Sequence, residues 1–371
     1  MRKASLSTLF VYVCEMEEFM TLKEILLQAY ERHASDIHIM TGSPVMFRVN
    51  GTLAAYREEP VIASDMEEIL NVFLNKAQRN TLDAKGEFDT AVTIAGFSRL
   101  RVSLYRQSGE YGAAVHMLSL EIPTPDELEL PMAAQKLTEA GKGLILVTGE
   151  AGSGKTTTVA SLLDKIAKTQ AKHIVTVENP IEYLLPRGIG MASQREIGSD
   201  TKSYADAIRA AMRQDADVIY ISEISDPDTA LAALAAAEAG HLVIASLYTG
   251  RAEDTLKRLS DLFPEQRRRQ AYAQLSGVLR GIVAQQLLPR CDGASQSAVF
   301  EIMLVDKEMQ ALLLEGRFSA VSSAMEKKRE AGMQTMDDAI LEAYMKSRIL
   351  AQTARQYATD KERMRQRMQI Y

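Results

Sequence analysis

Between Gly141 and Thr249 apolar runs alternate with helical stretches, and that alternation predicts a parallel sheet covered by helices. "GLILVTG" reads as a buried strand, followed by the helix "TTTVASLLDKIAK" and the strands "HIVTVEN" and "DVIYISE". "PDTALAALAAAEAG" is an alanine-rich helix that stops at Gly240, and "HLVIASLYT" returns as a strand. Beyond about residue 250 the pattern predicts mostly helix, ending in the charged helix "TDKERMRQRM". Upstream, "LKEILLQAY" places Leu22, Ile25, Leu26 and Tyr30 on one helical face. Short strand patterns follow in "SDIHIM", "VMFRVNGTL", "FDTAVTI" and "RLRVSLYR", with Asn50-Gly51 as a hairpin-turn signal. A small α+β domain over residues 20–121 is the expectation. "EIPTPDELELP" opens a linker over 122–140, a larger α/β domain fills 141–350, and a terminal helix covers 351–371.

Composition refines this outline. With 371 residues, 46% hydrophobic and 25% charged, the chain is long enough for two domains with their own cores. A net charge of -6 argues against a generally basic nucleic-acid binder, so no nucleic-acid partner is expected. The two cysteines, Cys14 and Cys291, stand alone, which excludes a four-thiolate zinc site and suits a reducing compartment. "MRKASLSTLFVYVC" has a basic start and a short apolar run, but it ends in "EMEEF" without a cleavage site. Residues 1–19 therefore read as a leader, with Met20 a candidate start. No segment reaches the ~18 uninterrupted apolar residues of a membrane span, which predicts a cytosolic location.

The chemistry centres on "GEAGSGKT", Gly149 to Thr156, which fits the phosphate-loop pattern G-x-x-x-x-G-K-[ST] at every defined position. A predicted strand enters it and a helix leaves it, so a chance glycine-rich turn explains less than a nucleotide site does. Glycines let backbone N–H groups wrap the phosphates, Lys155 would reach the β- and γ-phosphates, and the Thr156 hydroxyl would face Mg²⁺. "TVENPIEY" carries Glu178 and Glu182, either water-orienting carboxylates or exposed turn acids around Pro180. "RAAMRQDADVIYISE" runs into Glu223 at a strand end, the place of an acid that holds Mg²⁺ or polarises water. Arg209 and Arg213, four apart on one helical face, read as solvated charges without further support. His241 begins a strand, either as a structural histidine or a catalytic one. Arg99 and Arg101 share one strand face and Arg106 the other unless a bulge intervenes; they fit surface charge or phosphate neutralisation.

Taken in order, these pieces resemble the secretion and type IV pilus motor ATPases, most closely the PilT-like retraction branch. The resemblance runs from "ASDIHI" to "GMQTMDDAI", and is carried by "GEAGSGKTTT", "TVENPIEY", "AAAEAGHLVIASLYT", "RLSDLFPEQRRRQAYAQLSGVLRGIVAQQLLPRCDG" and "GMQTMDD". It implies an α/β protein with a RecA-like P-loop NTPase core, a smaller N-terminal PAS-like α+β domain and a homohexameric ring. Nucleotide would sit between the domains, with ATP and Mg²⁺ as cofactors. The implied partners are an inner-membrane pilus platform protein and a paralogous motor ATPase, at the inner face of the cytoplasmic membrane. Carried onto matching positions, the nucleotide-binding residues are Gly149, Glu150, Ala151, Gly152, Ser153, Gly154, Lys155, Thr156 and Thr157. Glu178 and Glu182 match the Asp-box acids, Glu223 the Walker B glutamate, and His241 the first histidine of the His box. Thr156 and Glu223 would hold the metal, and Arg101 and Arg106 fall near phosphate-contacting arginines. Departures from the family pattern are Asn179 for Asp, Ser222 for Gly, Ser225 for Arg, and Tyr248 for His with Gly250 for Asn. "EMQALLLE" also lacks both arginines of a helix typical of the branch. An ATPase motor of reduced rate and a nucleotide-binding accessory paralogue both fit; a DNA translocator fits the acidic balance less well.

Overall fold

The computed structural model describes residues 21–49, 51–94, 98–118, 121–293 and 295–369. The leader with Cys14, and Asn50 of the hairpin signal, lie outside the described residues. Contacts divide the chain into two units: one holds the residues up to Glu121 with Pro180–Tyr183, the other Ile122–Asn179 and Leu184 onward.

The first unit contains α1 (Leu22–Glu31), β1 (Ala34–Met40), β2 (Pro44–Val49), β3 (Thr52–Pro60), α2 (Ala63–Phe73), α3 (Lys76–Lys85), β4 (Glu87–Ile94), β5 (Ser98–Gln107) and β6 (Glu110–Leu118). Its six strands pair antiparallel in the order β3-β2-β1-β6-β5-β4. Alternation along the strands sends Ile37, Ile39, Phe47, Leu100, Val102, Leu104 and Val115 to a buried face, where Ile25 and Leu26 of α1 and Met66, Ile69 and Leu70 of α2 join them. Tyr30 does not share that burial: it is 54% exposed, because the buried stripe of α1 continues through Ala29 instead. Facing away from the core, Arg101, His116, Asp36 and Arg48 form one cross-strand row. His116 Nδ1 lies 2.9 Å from Asp36.

The second unit starts earlier than the linker expectation. Leu130 is buried, α4 (Met132–Lys136) and the turn behind it follow, and Ala134 and Leu137 belong to the same core as the central strands. Next come β7 (Gly143–Thr148), α5 (Lys155–Thr169), β8 (His173–Glu178), β9 (Met191–Glu196), α6 (Tyr204–Ala211), β10 (Val218–Ile221), α7 (Pro227–Glu238), β11 (Leu242–Leu247), α8 (Ala252–Asp261) and α9 (Glu265–Val278). The chain continues through β12 (Leu279–Pro289), β13 (Gln296–Leu304), α10 (Lys307–Glu315), α11 (Val321–Glu326), α12 (Met336–Met345), α13 (Ala351–Tyr357) and α14 (Lys361–Gln369). The seven strands run β13-β12-β7-β11-β10-β8-β9, parallel throughout except for β13 against β12.

β7 shows why this sheet needs helices on both sides. Leu144 and Leu146 enter a core built with α6 to α11, whereas Ile145 and Val147 enter the opposite core with α4 and α5. The mostly helical expectation beyond residue 250 is corrected by β12 and β13. Their apolar runs are buried on both faces, so they carry no alternation to distinguish strand from helix. The single terminal helix expected over 351–371 is two, α13 and α14, separated by Ala358 to Asp360 and packed with α12 on Ala284, Leu288 and Val299.

Two carboxylates hold this C-terminal part. Glu301 on β13 accepts the N–H of Ala252 (2.6 Å) and of Met336 (2.9 Å), so one buried side chain closes the first turns of α8 and α12. Asp338, in the "GMQTMDD" stretch, meets Arg329 at 2.7 Å and Arg367 at 2.6 Å and accepts the Thr335 hydroxyl. Burial opposes the Asp338 charge, but the bonds from Arg367 and Thr335 and the two arginine charges hold its carboxyl below the ordinary value. For Glu301 burial prevails: its carboxyl is pushed up despite the two N–H groups and Arg251. A raised acid binds its proton more tightly folded than unfolded, so its contribution is complete below the unfolded pKa and is lost as pH rises through the folded one. Replacing Glu301 with Leu leaves two buried N–H groups without an acceptor and should destabilise by ~1–3 kcal/mol. The wild-type advantage in melting temperature should be larger at pH 5 than at pH 8. A gap that widens with pH would contradict the assignment.

Candidate functional site

All the parallel strands of the second unit present their carboxyl ends on one side, the usual ligand side of such a sheet. Register fixes which residues meet there. Thr148 of β7 pairs with Leu247 of β11 and Ala284 of β12, and Ile221 of β10 pairs with Val177 of β8 and Ala245 of β11. The residues that follow are the phosphate loop after β7, Ser222 and Glu223 after β10, and Tyr248 after β11; Glu178 closes β8.

The loop Gly149–Gly154 turns directly into α5. Gly149 has φ 158°, extended backbone, but a side chain there would meet Ser153 Oγ at 2.2 Å and the Gln285 carbonyl at 2.6 Å. Gly154 caps α5 at φ 87°, a left-handed conformation that glycine adopts without strain, and a Cβ there would lie 2.8 Å from the Gln285 amide nitrogen. Gln285 on β12 is thus a wall of the loop, and it accepts the Thr158 hydroxyl at 2.6 Å. Glu150, Ala151 and Gly152 are exposed at the tip, Ser153 is buried, and Thr156 and Thr157 are half-buried in the first turn of α5. The Ser153 Oγ is a buried oxygen without a hydrogen-bond partner. Backbone amides at the start of α5 face the loop without intrahelical acceptors, which is the requirement of a phosphate cradle.

Lys155 is buried. Its Nζ donates to the carbonyls of Gly149 and Glu150, both at 2.8 Å, and lies 4.2 Å from the centre of the Tyr248 ring. Glu178 is buried at the end of β8, where it accepts from the Thr176 hydroxyl (2.6 Å) and the Gln194 amide (3.2 Å). Glu223 is half-buried between two main-chain anchors, Ser222 N–H to the Val177 carbonyl and Ile224 N–H to the Ser246 carbonyl, both 3.0 Å. Tyr204, at the start of α6, brings these together electrostatically. Burial first, and then the charges of Glu223, Tyr248 and Glu178, push its phenol up to about 12 against the lowering hydrogen bond with Ser222. Asp226 lies outside this group and works as the N-cap of α7, accepting from Thr229 N–H at 2.9 Å.

Of the other expected site residues, His241 is in the second unit and Glu182, Arg101 and Arg106 are in the first. His241 precedes β11, beside Gly143, with Nδ1 2.6 Å from the Ala216 carbonyl. It stands at the amino end of the sheet, roughly 20 Å of strand from the phosphate loop, so the structure does not bring it to the edge where Lys155, Glu178 and Glu223 meet. Glu182 belongs to the first unit, where it pairs with Arg101 at 2.9 Å. Arg106 does not join them. β5 and β6 pair without a bulge, so Arg101 and Arg106 point to opposite faces, and Arg106 lies over the Tyr111 ring at 5.2 Å. Arg209 pairs with Asp206 and Arg213 bonds the Arg209 carbonyl, as solvated charges do. Gln285 and Tyr204 escaped the sequence reading; "VAQQLLP" carries polar side chains inside a buried run, and that was the available signal for Gln285.

A family model described as "Type II/IV secretion system protein" matches residues 16–369. The type IV pilus ATPase PilU of Pseudomonas aeruginosa is 33% identical over 339 residues, 91% of this chain and 89% of that protein. The type IV pilus retractation ATPase PilT of the same organism is 32% identical over 339 residues, 91% of this chain and 98% of that protein. A crystal structure of the pilus retraction motor PilT with bound ADP superposes with a TM-score of 0.85 at 36% identity, covering 94% of this chain and 100% of that one. Spanning nearly the whole sequence, and with its phosphate loop seated at the carboxyl edge of a parallel sheet, the chain belongs to the type II/IV secretion system protein family, in its PilT-like branch.

Proposed function

We propose that this protein binds and slowly hydrolyses ATP as a motor subunit of a type IV pilus machine, on the retraction side. The observation that carries the reading is the complete Gly149–Thr156 loop with Lys155 at its base, on the same sheet edge as Glu178 and Glu223. The relatives named as pilus ATPases support it. The cradle fits a polyphosphate: two glycines hold space no side chain could share, and a buried serine hydroxyl faces the loop without a partner. Gly149 to Thr157 would surround the phosphates, with the Thr156 hydroxyl and Glu223 holding Mg²⁺, which supplies charge neutralisation when bound. The chain's own contribution is to wrap the phosphates with backbone N–H groups, to transfer Lys155 from the loop carbonyls to a phosphate oxygen, and to orient water with Glu223 or Glu178. Arg101 is a further nucleotide-binding candidate in the same reading. Assembly as a homohexamer, docking to an inner-membrane platform protein and a cytoplasmic place at the membrane's inner face extend the same reading. Among the described residues, no helix is long and apolar enough to cross a membrane.

Slow turnover follows from the neutral residues around Glu223. Ser225 stands where the family pattern has arginine, and loss of one charge-stabilising contact typically costs ~10²–10³ in rate. A second reading, an accessory paralogue that binds nucleotide and works through a partner motor, is favoured by the Tyr248 ring against Lys155.

Turnover of the purified chain should exceed that of Lys155→Ala, which loses nucleotide affinity, and of Glu223→Ala, which keeps affinity but loses ~10²-fold or more in kcat. Equal rates in all three would sink the hydrolytic reading; Lys155-dependent nucleotide binding would then leave the accessory one standing. Gln285→Ala should weaken ADP binding about 3- to 10-fold by freeing the loop wall and the Thr158 hydroxyl, measured with a fluorescent nucleotide. Unchanged affinity would remove Gln285 from the site.

A further inference from the structure

The residue before Glu223 is serine, where the family pattern has glycine. A hydroxyl added beside two carboxylates needs a partner, and this one has it: Ser222 Oγ lies 2.8 Å from the phenolic oxygen of Tyr204. The main chain on both sides of Glu223 is already tied to β8 and β11 by the Ser222 and Ile224 amides. The Ser222–Tyr204 contact adds a third tie, to α6, whose start is fixed by its Ser203 cap accepting Asp206 N–H at 3.1 Å. Three elements therefore converge on the residue that carries the carboxylate. The carboxylate itself makes no hydrogen bond or ion pair to a side chain or amide among the described residues, so its direction depends on how firmly its backbone is held.

We propose that Tyr204 is a positioning residue for ATP hydrolysis, its hydroxyl acting through Ser222 to hold the Glu223 carboxylate in the direction the attacking water requires. The inference rests on the hydrolytic reading above. Tyr204 touches neither substrate nor water in this role; it restrains the residue that does. Such restraint matters because misplacing a reacting group by about 1 Å costs up to ~10²-fold in rate. The phenol is pushed up to about 12, so it stays protonated at neutral pH and the pair always has a proton to share. Among the described residues these hydroxyls bond each other and not the phosphate loop, so nucleotide affinity is not expected to depend on them.

The test compares the full chain with Tyr204→Phe, Ser222→Ala and the double variant. Each is measured for ATPase kcat and KM, for affinity toward a fluorescent ADP analogue, and for melting temperature. Each single variant should lower kcat about 3- to 10-fold, the size of one lost neutral hydrogen bond. KM and ADP affinity should stay at wild-type values, and melting temperature should fall only by the few degrees that one lost hydrogen bond costs. Because the two hydroxyls act as one unit, the double variant should be no slower than the slower single one. Multiplying defects, a change in KM with kcat intact, or unaltered kcat would each overturn the proposal. A fall in kcat tracked by an equal fall in ADP affinity would overturn it too. Should Tyr204→Phe fold poorly, Ser222→Ala decides the matter, since it leaves the aromatic ring in place. Wild-type turnover no greater than that of Lys155→Ala would remove the hydrolytic reading and this inference together; wild-type turnover above it with no kcat change in the variants removes this inference alone.

Discussion

Parallel pairing is the constraint on which the rest of the second unit depends. It forces β7, β8, β10 and β11 to end on one side, so groups far apart in sequence, Lys155, Glu178, Glu223 and Tyr248, share one edge. Parallel pairing also buries both faces of each strand, which demands helices on both sides. One of those helices, α5, begins at the loop after β7, and its amide end faces the space that the strand ends define. Gln285 then locks the loop from β12. The antiparallel partner β13 lies at the sheet's edge, and through Glu301 it ties α8 and α12 to the sheet.

At this edge the charged groups of Lys155 and Glu178 are held in different ways. Lys155 is satisfied by two carbonyls and an aromatic face, contacts that a phosphate oxygen can outcompete because charge-assisted hydrogen bonds are roughly twice as strong as neutral ones. Tyr248 is 57% exposed, so displacing it costs little burial. By contrast Glu178 is held by Thr176 and Gln194, which fix its orientation before any ligand arrives.

Much of this was legible in the sequence because its strongest signals are local. The phosphate loop needs glycines and a lysine at fixed spacing, and β7, β8, β10 and β11 are mostly apolar runs between turn residues. What was hidden depends on partners distant in the chain. β9, "MASQRE", is an edge strand whose polarity gives no periodic signal, and β12 and β13 are buried on both faces. His241 shows the limit of motif order: six residues along β11 carry the chain from one end of the sheet to the other, so proximity to Tyr248 in sequence meant distance in space. Tyr204 carried no sequence signal at all, since an aromatic at a helix start reads as core until its hydroxyl is seen against Ser222.

The two acids that follow β10 separate a fold duty from a chemical one. Asp226 has a complete structural explanation as the cap of α7, and its carboxyl is held low by the Thr229 hydroxyl and the helix amides, against the opposing effect of burial. Its presence therefore says nothing about catalysis. Glu223 caps no helix, and its side chain makes no ion pair or hydrogen bond among the described residues. A half-buried carboxylate without a partner costs stability, because part of its hydration is lost and nothing in the fold replaces it. A fold that anchors the main chain on both sides of such a group is arranged to display it. That display is unaffected by the serines on either side, Ser222, whose hydroxyl turns to Tyr204, and Ser225, which is exposed.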